Sequence, residues 1–192
     1  MRVDARPESR PKDRGNLLTG VLAGLESGEA PRGITCCRPA QLAKEPDLLF
    51  VTRRGMVKRT AAADYDVRGK KFAAVNLKAG DSLLTVLPAF TRDDLLMFTR
   101  AGMCIRFGLD TVPVQGRISA GVRGRQVDEE DELIWCGQVG ENDEMVLFSE
   151  RGYGKRILSC DFEKQNRNGK GVKSFYFNKS GSNGKYLAGL YL

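Results

Sequence analysis

Histidine is absent from all 192 residues. Without an imidazole there is no Ser-His or Cys-His pair to activate a nucleophile. Cysteine is sparse: Cys36, Cys37, Cys104, Cys136 and Cys160, with no Cys-x-x-Cys spacing. An odd count so arranged is neither a disulfide framework nor a structural zinc site, and it fits the reducing cytoplasm. The acidic residues occur in turns with no Cys or His to complete a metal site. No apolar run approaches the roughly 20 residues that cross a bilayer, and the N-terminus lacks the apolar core of a signal peptide. No long helical segment is patterned into the chain, and aspartate and glutamate stop altogether after Glu163. These absences exclude a visible catalytic constellation, a cofactor or metal site and a membrane segment, so the expectation is a non-catalytic cytoplasmic protein without cofactors.

What is present is positive charge and repetition. Lys and Arg outnumber Asp and Glu by 31 to 24, a formal charge of +7, with 41% hydrophobic and 29% charged residues. Such a chain buries a real core, and its charge favours a polyanion, nucleic acid before a membrane surface. The segment Leu48–Arg59, LLFVTRRGMVKR, recurs at Leu95 (LLMFTRAGMCIR) and at Met145 (MVLFSERGYGKR), with starts 47 and 50 residues apart. A period of that size, built from short apolar runs and Gly turns, signals a solenoid or propeller in which each repeat is one small sheet.

Each copy reads the same way. Leu48-Leu49-Phe50-Val51-Thr52 is too short for a helix and suits an inner strand buried on both faces. Arg53-Arg54-Gly55, Arg100-Ala101-Gly102 and Glu150-Arg151-Gly152 then end in Gly where a three-residue hairpin needs a left-handed residue. On the returning strand every copy carries Arg four places past that Gly, at Arg59, Arg106 and Arg156. Each repeat is thereby expected to present a cation at one equivalent place.

Residues 1–13, charged and holding two Pro, read as a linker or disordered tail. Residues 14–192 read as one all-β unit: a partial repeat over 14–37, resembling the back half of a repeat, and full repeats over 48–88, 95–137 and 145–192. The loop Arg68-Gly69-Lys70-Lys71 of the first repeat corresponds to 115–125 in the second, where Arg117, Arg123 and Arg125 occur without an acid. Asp128-Glu129-Glu130-Asp131-Glu132 follows at once and is expected to form a turn away from any anion-binding surface. The third loop, Glu163–Lys173, accumulates cations around Gly169 and Gly171, whose backbone is expected to approach an anion closely as in a phosphate cradle. Its spacing matches neither Walker A nor a dinucleotide fingerprint. Phe50, Phe98, Phe148 and Trp135 lie in apolar runs and read as core.

The registered openings LLFVTRRGMVKRT, LLMFTRAGMCIRF and MVLFSERGYGKRI, with the Arg-Gly-rich loops behind them, resemble the C-terminal DNA-wrapping domain of the A subunit of bacterial type IIA topoisomerases, DNA gyrase and topoisomerase IV. The resemblance covers about 15–192. It implies a propeller-like β-pinwheel of three to four blades, built from four-stranded antiparallel sheets that exchange strands with their neighbours, with a basic rim that bends duplex DNA. It implies as partners double-stranded DNA, the ATPase B subunit of the holoenzyme, which works in the cytoplasm at the nucleoid, together with the remaining domains of the A subunit. The strand-breaking tyrosine and the ATPase belong to other domains, and Tyr65, Tyr153, Tyr176, Tyr186 and Tyr191 have no context for that chemistry. Gyrase carries a box close to Gln-Arg-Arg-Gly-Gly-Lys-Gly. Here Gln165-Asn166-Arg167-Asn168-Gly169-Lys170-Gly171 keeps Gln, Arg and Gly-Lys-Gly but has Asn at two positions, closer to the degenerate loop of topoisomerase IV.

Wrapping needs no base-specific groups, only cations spaced along a curved edge whose phosphate contacts exceed the cost of bending. The candidates are Arg53, Arg54, Lys58, Arg59, Arg68, Lys70 and Lys71 in the first repeat, and Arg100, Arg106, Arg117, Arg123 and Arg125 in the second. In the third they are Arg151, Lys155, Arg156, Gln165, Arg167, Gly169, Lys170, Gly171 and Lys173. The reading requires that these cations share one perimeter and are not paired off with carboxylates. Its rivals are a propeller-type protein-interaction scaffold, motivated by the acidic turn, and a small-molecule enzyme, which lacks acid–base pairs.

Overall fold

A computed structural model describes residues 10–17, 20, 25–26, 28–32, 46–67 and 71–192, and among residues 46–67 and 71–192 it has eleven short strands with single 3-10 turns at Ala62–Tyr65, Leu109–Thr111 and Ser159–Asp161. Half of the partial repeat 14–37 and all of residues 68–70, with Arg68 and Lys70 among them, lie outside the described residues, as do Cys36 and Cys37. The strands are β1 (Asp47–Thr52), β2 (Met56–Thr60), β3 (Leu83–Ala89), β4 (Asp94–Thr99), β5 (Met103–Gly108), β6 (Val122–Arg123), β7 (Leu133–Val139), β8 (Glu144–Ser149), β9 (Gly154–Leu158), β10 (Val172–Lys173) and β11 (Leu187–Tyr191).

They form three antiparallel sheets ordered β3-β1-β2-β6, β10-β5-β4-β7 and β11-β8-β9. The first strand of every repeat (β1, β4, β8) therefore lies inside its sheet. Alternation along β4 shows why that strand is apolar on both faces: Leu95 and Met97 enter a core shared with the first repeat, while Leu96 and Phe98 enter one shared with the third. The two cores sit between successive sheets.

The hairpin that follows is fixed by two repeated residues. Gly55, Gly102 and Gly152 adopt φ of 86°, 79° and 78°, where an L side chain would be strained. The repeated hydroxyl serves the same turn: Thr52, Thr99 and Ser149 accept a hydrogen bond from the amide four residues on, at 3.1, 3.3 and 3.3 Å.

Strand exchange links the sheets. β6, from the second repeat, pairs with β2 of the first through Met56↔Arg123 and Val57↔Val122, and β10, from the third, pairs with β5 through Val172↔Cys104 and Lys173↔Met103. Gly121 and Gly171, at φ 82° and 73°, precede these short strands, and a Cβ on either would run into the carbonyl oxygen of Val57 or Cys104. Among the described residues β9 carries no such fourth strand.

One expectation about the core is overturned. Phe50 and Phe98 are 4% and 0% exposed, but Phe148 is 38% exposed. Phe98 is covered edge-on by Phe162 of the next repeat at 5.6 Å, whereas the ring that meets Phe148 is that of Tyr191, at 6.3 Å within the same sheet. Trp135 packs on Phe98 at 5.8 Å, as its apolar context implied. Cys104 and Cys136 are buried free thiols, and burial pushes their pKa values up.

Candidate nucleic-acid interface

The candidate cations separate into three environments. Two are buried. Lys58 is 1% exposed; its ammonium donates to the carbonyl oxygens of Ala74, at 2.6 Å, and Arg117, and lies 4.8 Å from the Phe50 ring centroid. Burial pulls its pKa from 10.5 down to about 8, with Asp64 opposing the shift and Arg117 adding to it. Arg125 is 3% exposed and donates to the carbonyl oxygen of Lys170. Both were expected to face a polyanion, but Lys58 on β2 and Arg125, two residues past β6, are buried and spent on loop carbonyls.

A second group is paired with carboxylates. The repeated arginine, expected to supply one free cation per blade, instead meets the acid at the start of its own sheet: Arg59–Asp47 at 3.3 Å, Arg106–Asp94 at 2.8 Å and Arg156–Glu144 at 3.2 Å. The Arg59 pair meets by distance without hydrogen-bond alignment. Arg106 also donates to the carbonyls of Ser159 and Phe162, at 3.0 and 3.3 Å. Glu132 takes Arg53 at 3.0 Å and Arg100 at 3.7 Å, and Arg100 lies over the Tyr186 ring at 4.0 Å. Lys71 sits 3.5 Å from Glu26 and 3.8 Å from Glu29.

The acidic turn is largely consumed by these contacts. Arg54 donates to the carbonyls of Asp128, Glu129 and Asp131 at 3.2, 3.0 and 2.7 Å, and Asp131 accepts from the amides of Ala101 and Glu132. The turn is not remote from the cations, as repulsion alone implied. Asp128 stands on the wall of a cleft of ≈460 Å³ that Arg54, Lys78, Arg123 and Lys170 also line. Three successive repeats thus place side chains on one concavity, with Asp81 as the second carboxylate.

The remaining candidates form the third group. Arg123, Arg151, Lys155, Lys170 and Lys173 are exposed and Arg117 and Arg167 half-buried, and among the described residues none is in an ion pair. Several are braced by aromatic rings: Arg117 over Phe72 at 5.4 Å, Lys155 over Phe175 at 5.8 Å and Lys173 over Tyr176 at 5.5 Å. Arg167 donates to the Arg123 carbonyl at 2.6 Å.

The loop 165–171 is held down from beneath. The Gln165 amide donates to the Arg106 carbonyl at 2.8 Å, the Asn168 amide to Gly124 at 2.7 Å, and Gly169 accepts from Gln126 at 3.0 Å. Asn168, at φ 73°, takes the left-handed conformation that a glycine would otherwise supply. Gly171 is required for close approach to β5, where a Cβ would run into the Cys104 carbonyl oxygen. Lys78 is a cation of the cleft that has no signal in the sequence beyond the alignment of its segment with other repeats. The cleft thus sets Arg54, Lys78, Arg123 and Lys170 beside the carboxylates of Asp81 and Asp128.

Comparison with known proteins agrees with this architecture. The family described as DNA gyrase C-terminal domain, beta-propeller, matches residues 46–89, 93–139 and 143–181. The chain is 30% identical over 181 residues to the A subunit of DNA gyrase from Chlamydia muridarum, covering 93% of this chain and 22% of the relative. It is 37% identical over 127 residues to the A subunit of DNA topoisomerase 4 from Bacillus subtilis, covering 65% of this chain and 16% of the relative. The chain therefore spans about a fifth of the length of these relatives. The crystal structure of the C-terminal domain of DNA topoisomerase IV superposes with a TM-score of 0.85 at 26% identity, over 96% of this chain and 57% of that one. The strand-exchanged sheets are those of a β-pinwheel, and the chain belongs to the family of DNA gyrase C-terminal β-propeller domains.

Proposed function

We infer that this protein binds duplex DNA without sequence preference and bends it along its cationic rim, as the non-catalytic C-terminal module of a type IIA topoisomerase A subunit. The observation that carries the reading is the cleft shared by Arg54 and Lys78, Arg123, and Lys170, one contribution from each successive repeat. Cations spaced along consecutive repeats give a stiff polyphosphate several simultaneous contacts. Each releases counterions, and together they offset a bending cost on the order of 1–6 kcal/mol. The partners are double-stranded DNA, the ATPase B subunit of the holoenzyme and the rest of the A subunit. The setting is the cytoplasm at the nucleoid, with no cofactor in this module and no membrane.

Within that family the mode is the DNA-positioning one of topoisomerase IV rather than strong wrapping. Support comes from the Asn residues at 166 and 168, which replace the first Arg and the first Gly of the gyrase-type box, and from the likeness in fold to the topoisomerase IV domain. The test is topological. A nicked circle is ligated in the presence of the full chain and its linking number read: duplex binding with a steep salt dependence and a small linking change is expected. Salt-independent binding, or no binding, would remove the reading, and a large change of one sign would assign gyrase-like wrapping instead.

A further inference from the structure

Arg125 carries its charge inside the protein. It is 3% exposed, its Nε has no hydrogen-bond partner, and a guanidinium so desolvated is costly unless something requires it. The repeat supplies a control. The Gly55 carbonyl accepts from the amides of Gly124 and Arg125 at 2.8 and 3.2 Å, and the Gly102 carbonyl accepts from Ser174 and Phe175 at 2.7 and 3.3 Å. Arg125 and Phe175 are thus equivalent, one an arginine and one a phenylalanine that is 6% exposed. The position can be filled by an apolar side chain, so packing alone does not call for a charge.

What differs is the neighbour. Beside Arg125 runs the loop of the third repeat, bridged to it in parallel at Gly169, and the guanidinium donates to the carbonyl of Lys170. We propose that Arg125 is a positioning residue for DNA binding: it locks the backbone of Lys170 onto the second repeat and so fixes the Lys170 ammonium on the cleft wall that Arg123 shares. The Arg167–Arg123, Asn168–Gly124 and Gln126–Gly169 hydrogen bonds hold the three residues just before Lys170, but among the described residues the bond to the Lys170 backbone carbonyl is the one from Arg125. This rests on the reading of the cleft as a phosphate-binding surface.

The test uses the full chain with Arg125→Met, Lys170→Gln and the double variant, titrating a linear duplex over a range of NaCl. Arg125 touches no phosphate, so its removal acts through Lys170. Each single variant should flatten the log–log salt slope by about 0.9, one phosphate contact, and the double variant no further than Lys170→Gln. Additive flattening, or an unchanged slope in Arg125→Met when Lys170→Gln flattens it, overturns the positioning role and leaves the cleft reading intact. An unchanged slope in Lys170→Gln itself removes the cleft reading at that residue, and the positioning role with it. Should Arg125→Met not fold, Arg125→Phe borrows the side chain of Phe175. In either variant amide exchange at Asn168 should quicken about tenfold or more, the loss of one hydrogen bond to a charged group. Unaltered exchange there overturns the proposal as well.

Discussion

Arg106 and Asp94 meet at 2.8 Å across β4 and β5, and the same pairing recurs as Arg59–Asp47 and Arg156–Glu144. In all three the acid lies twelve residues before the arginine. Antiparallel register sets Leu96 opposite Arg106 and Asp94 opposite Gly108, so the pair is a diagonal contact two residues along the ladder. The most regular cation of the repeat thus staples the first strand to the returning one. Cations left for a polyanion are the less regular ones, on the exchanged strands and their loops.

The three staples differ in burial, and their energetic weight should follow. Asp94 and Arg106 are 12% and 13% exposed, and Lys164 adds a second ion pair to Asp94 at 2.8 Å, whereas Glu144 and Arg156 are 54% and 70% exposed. Asp94→Asn leaves a half-buried guanidinium uncompensated and should cost about 2–4 kcal/mol. Glu144→Gln should cost no more than about 1 kcal/mol. Urea unfolding of the two variants checks the order, and equal costs would contradict it. Burial would raise the Asp94 carboxyl, but hydrogen bonds and charge from Lys164 and Arg106 more than offset it and hold the pKa below its ordinary 3.8. Stability from this group is therefore present above pH 3.8 and lost as pH falls below it, and Asp94→Asn should flatten that acid limb.

The β-pinwheel was legible because its determinants are local: an apolar pentad, a hydroxyl that caps the turn, and a Gly at φ near 80° recur in register. The staples were legible too, as an acid one residue ahead of Leu48, Leu95 and Met145, but an arginine taken without the acid twelve residues before it reads as a free cation. The burial of Lys58 and Arg125 was not legible. The carbonyls that hold Lys58 come from Ala74 and Arg117, 16 and 59 residues later, and the 50-residue register that sets Arg125 against Phe175 does not show which loop covers either one. Charge on a returning strand looks the same in sequence whether the next repeat's loop covers it or not.

Lys58 gives the fold a pH dependence of unusual sign. Its pKa is about 8 in the folded chain against 10.5 in the unfolded one, so between these values the unfolded state binds more protons and stability contributed by this group rises with pH. A neutral amine still carries two N–H groups for the two carbonyls it serves, so deprotonation sacrifices neither bond. Tyr65, whose pKa burial raises above 10.0, acts in the opposite direction only beyond that pH. The unfolding free energy of the parent chain minus that of Lys58→Met should therefore increase from about pH 7.5 to about 9.5. A difference that stays level or shrinks over that window would show that the ammonium is not desolvated.

Strand exchange makes a prediction at glycine. Gly152 and Gly171 share a left-handed φ, 78° and 73°, but Gly152 faces open space whereas a Cβ at Gly171 meets the Cys104 carbonyl. Gly152→Ala should cost only the conformational penalty, about 1–2 kcal/mol. Gly171→Ala must also push β10 off β5, and should cost about 1–3 kcal/mol more and open residues 163–173 to limited proteolysis. Similar melting and similar cleavage in both variants would mean that β10 is not needed to hold the loop.

Binding itself should sort the cations by environment. Arg123 is exposed, stands on the cleft wall and has no ion pair among the described residues, so Arg123→Gln should flatten the salt slope of duplex binding by about 0.9. Lys58→Met removes the same formal charge from a side chain that is 1% exposed, and should leave the slope unchanged while the fold persists. Because phosphate contacts carry no sequence information, the loss in Arg123→Gln should be the same on A·T-rich and G·C-rich duplexes. If instead Lys58→Met flattened the slope and Arg123→Gln did not, the DNA path would run along the junctions between repeats rather than over the cleft, and the ion pairs at Arg59 and Arg106 would have to open on binding.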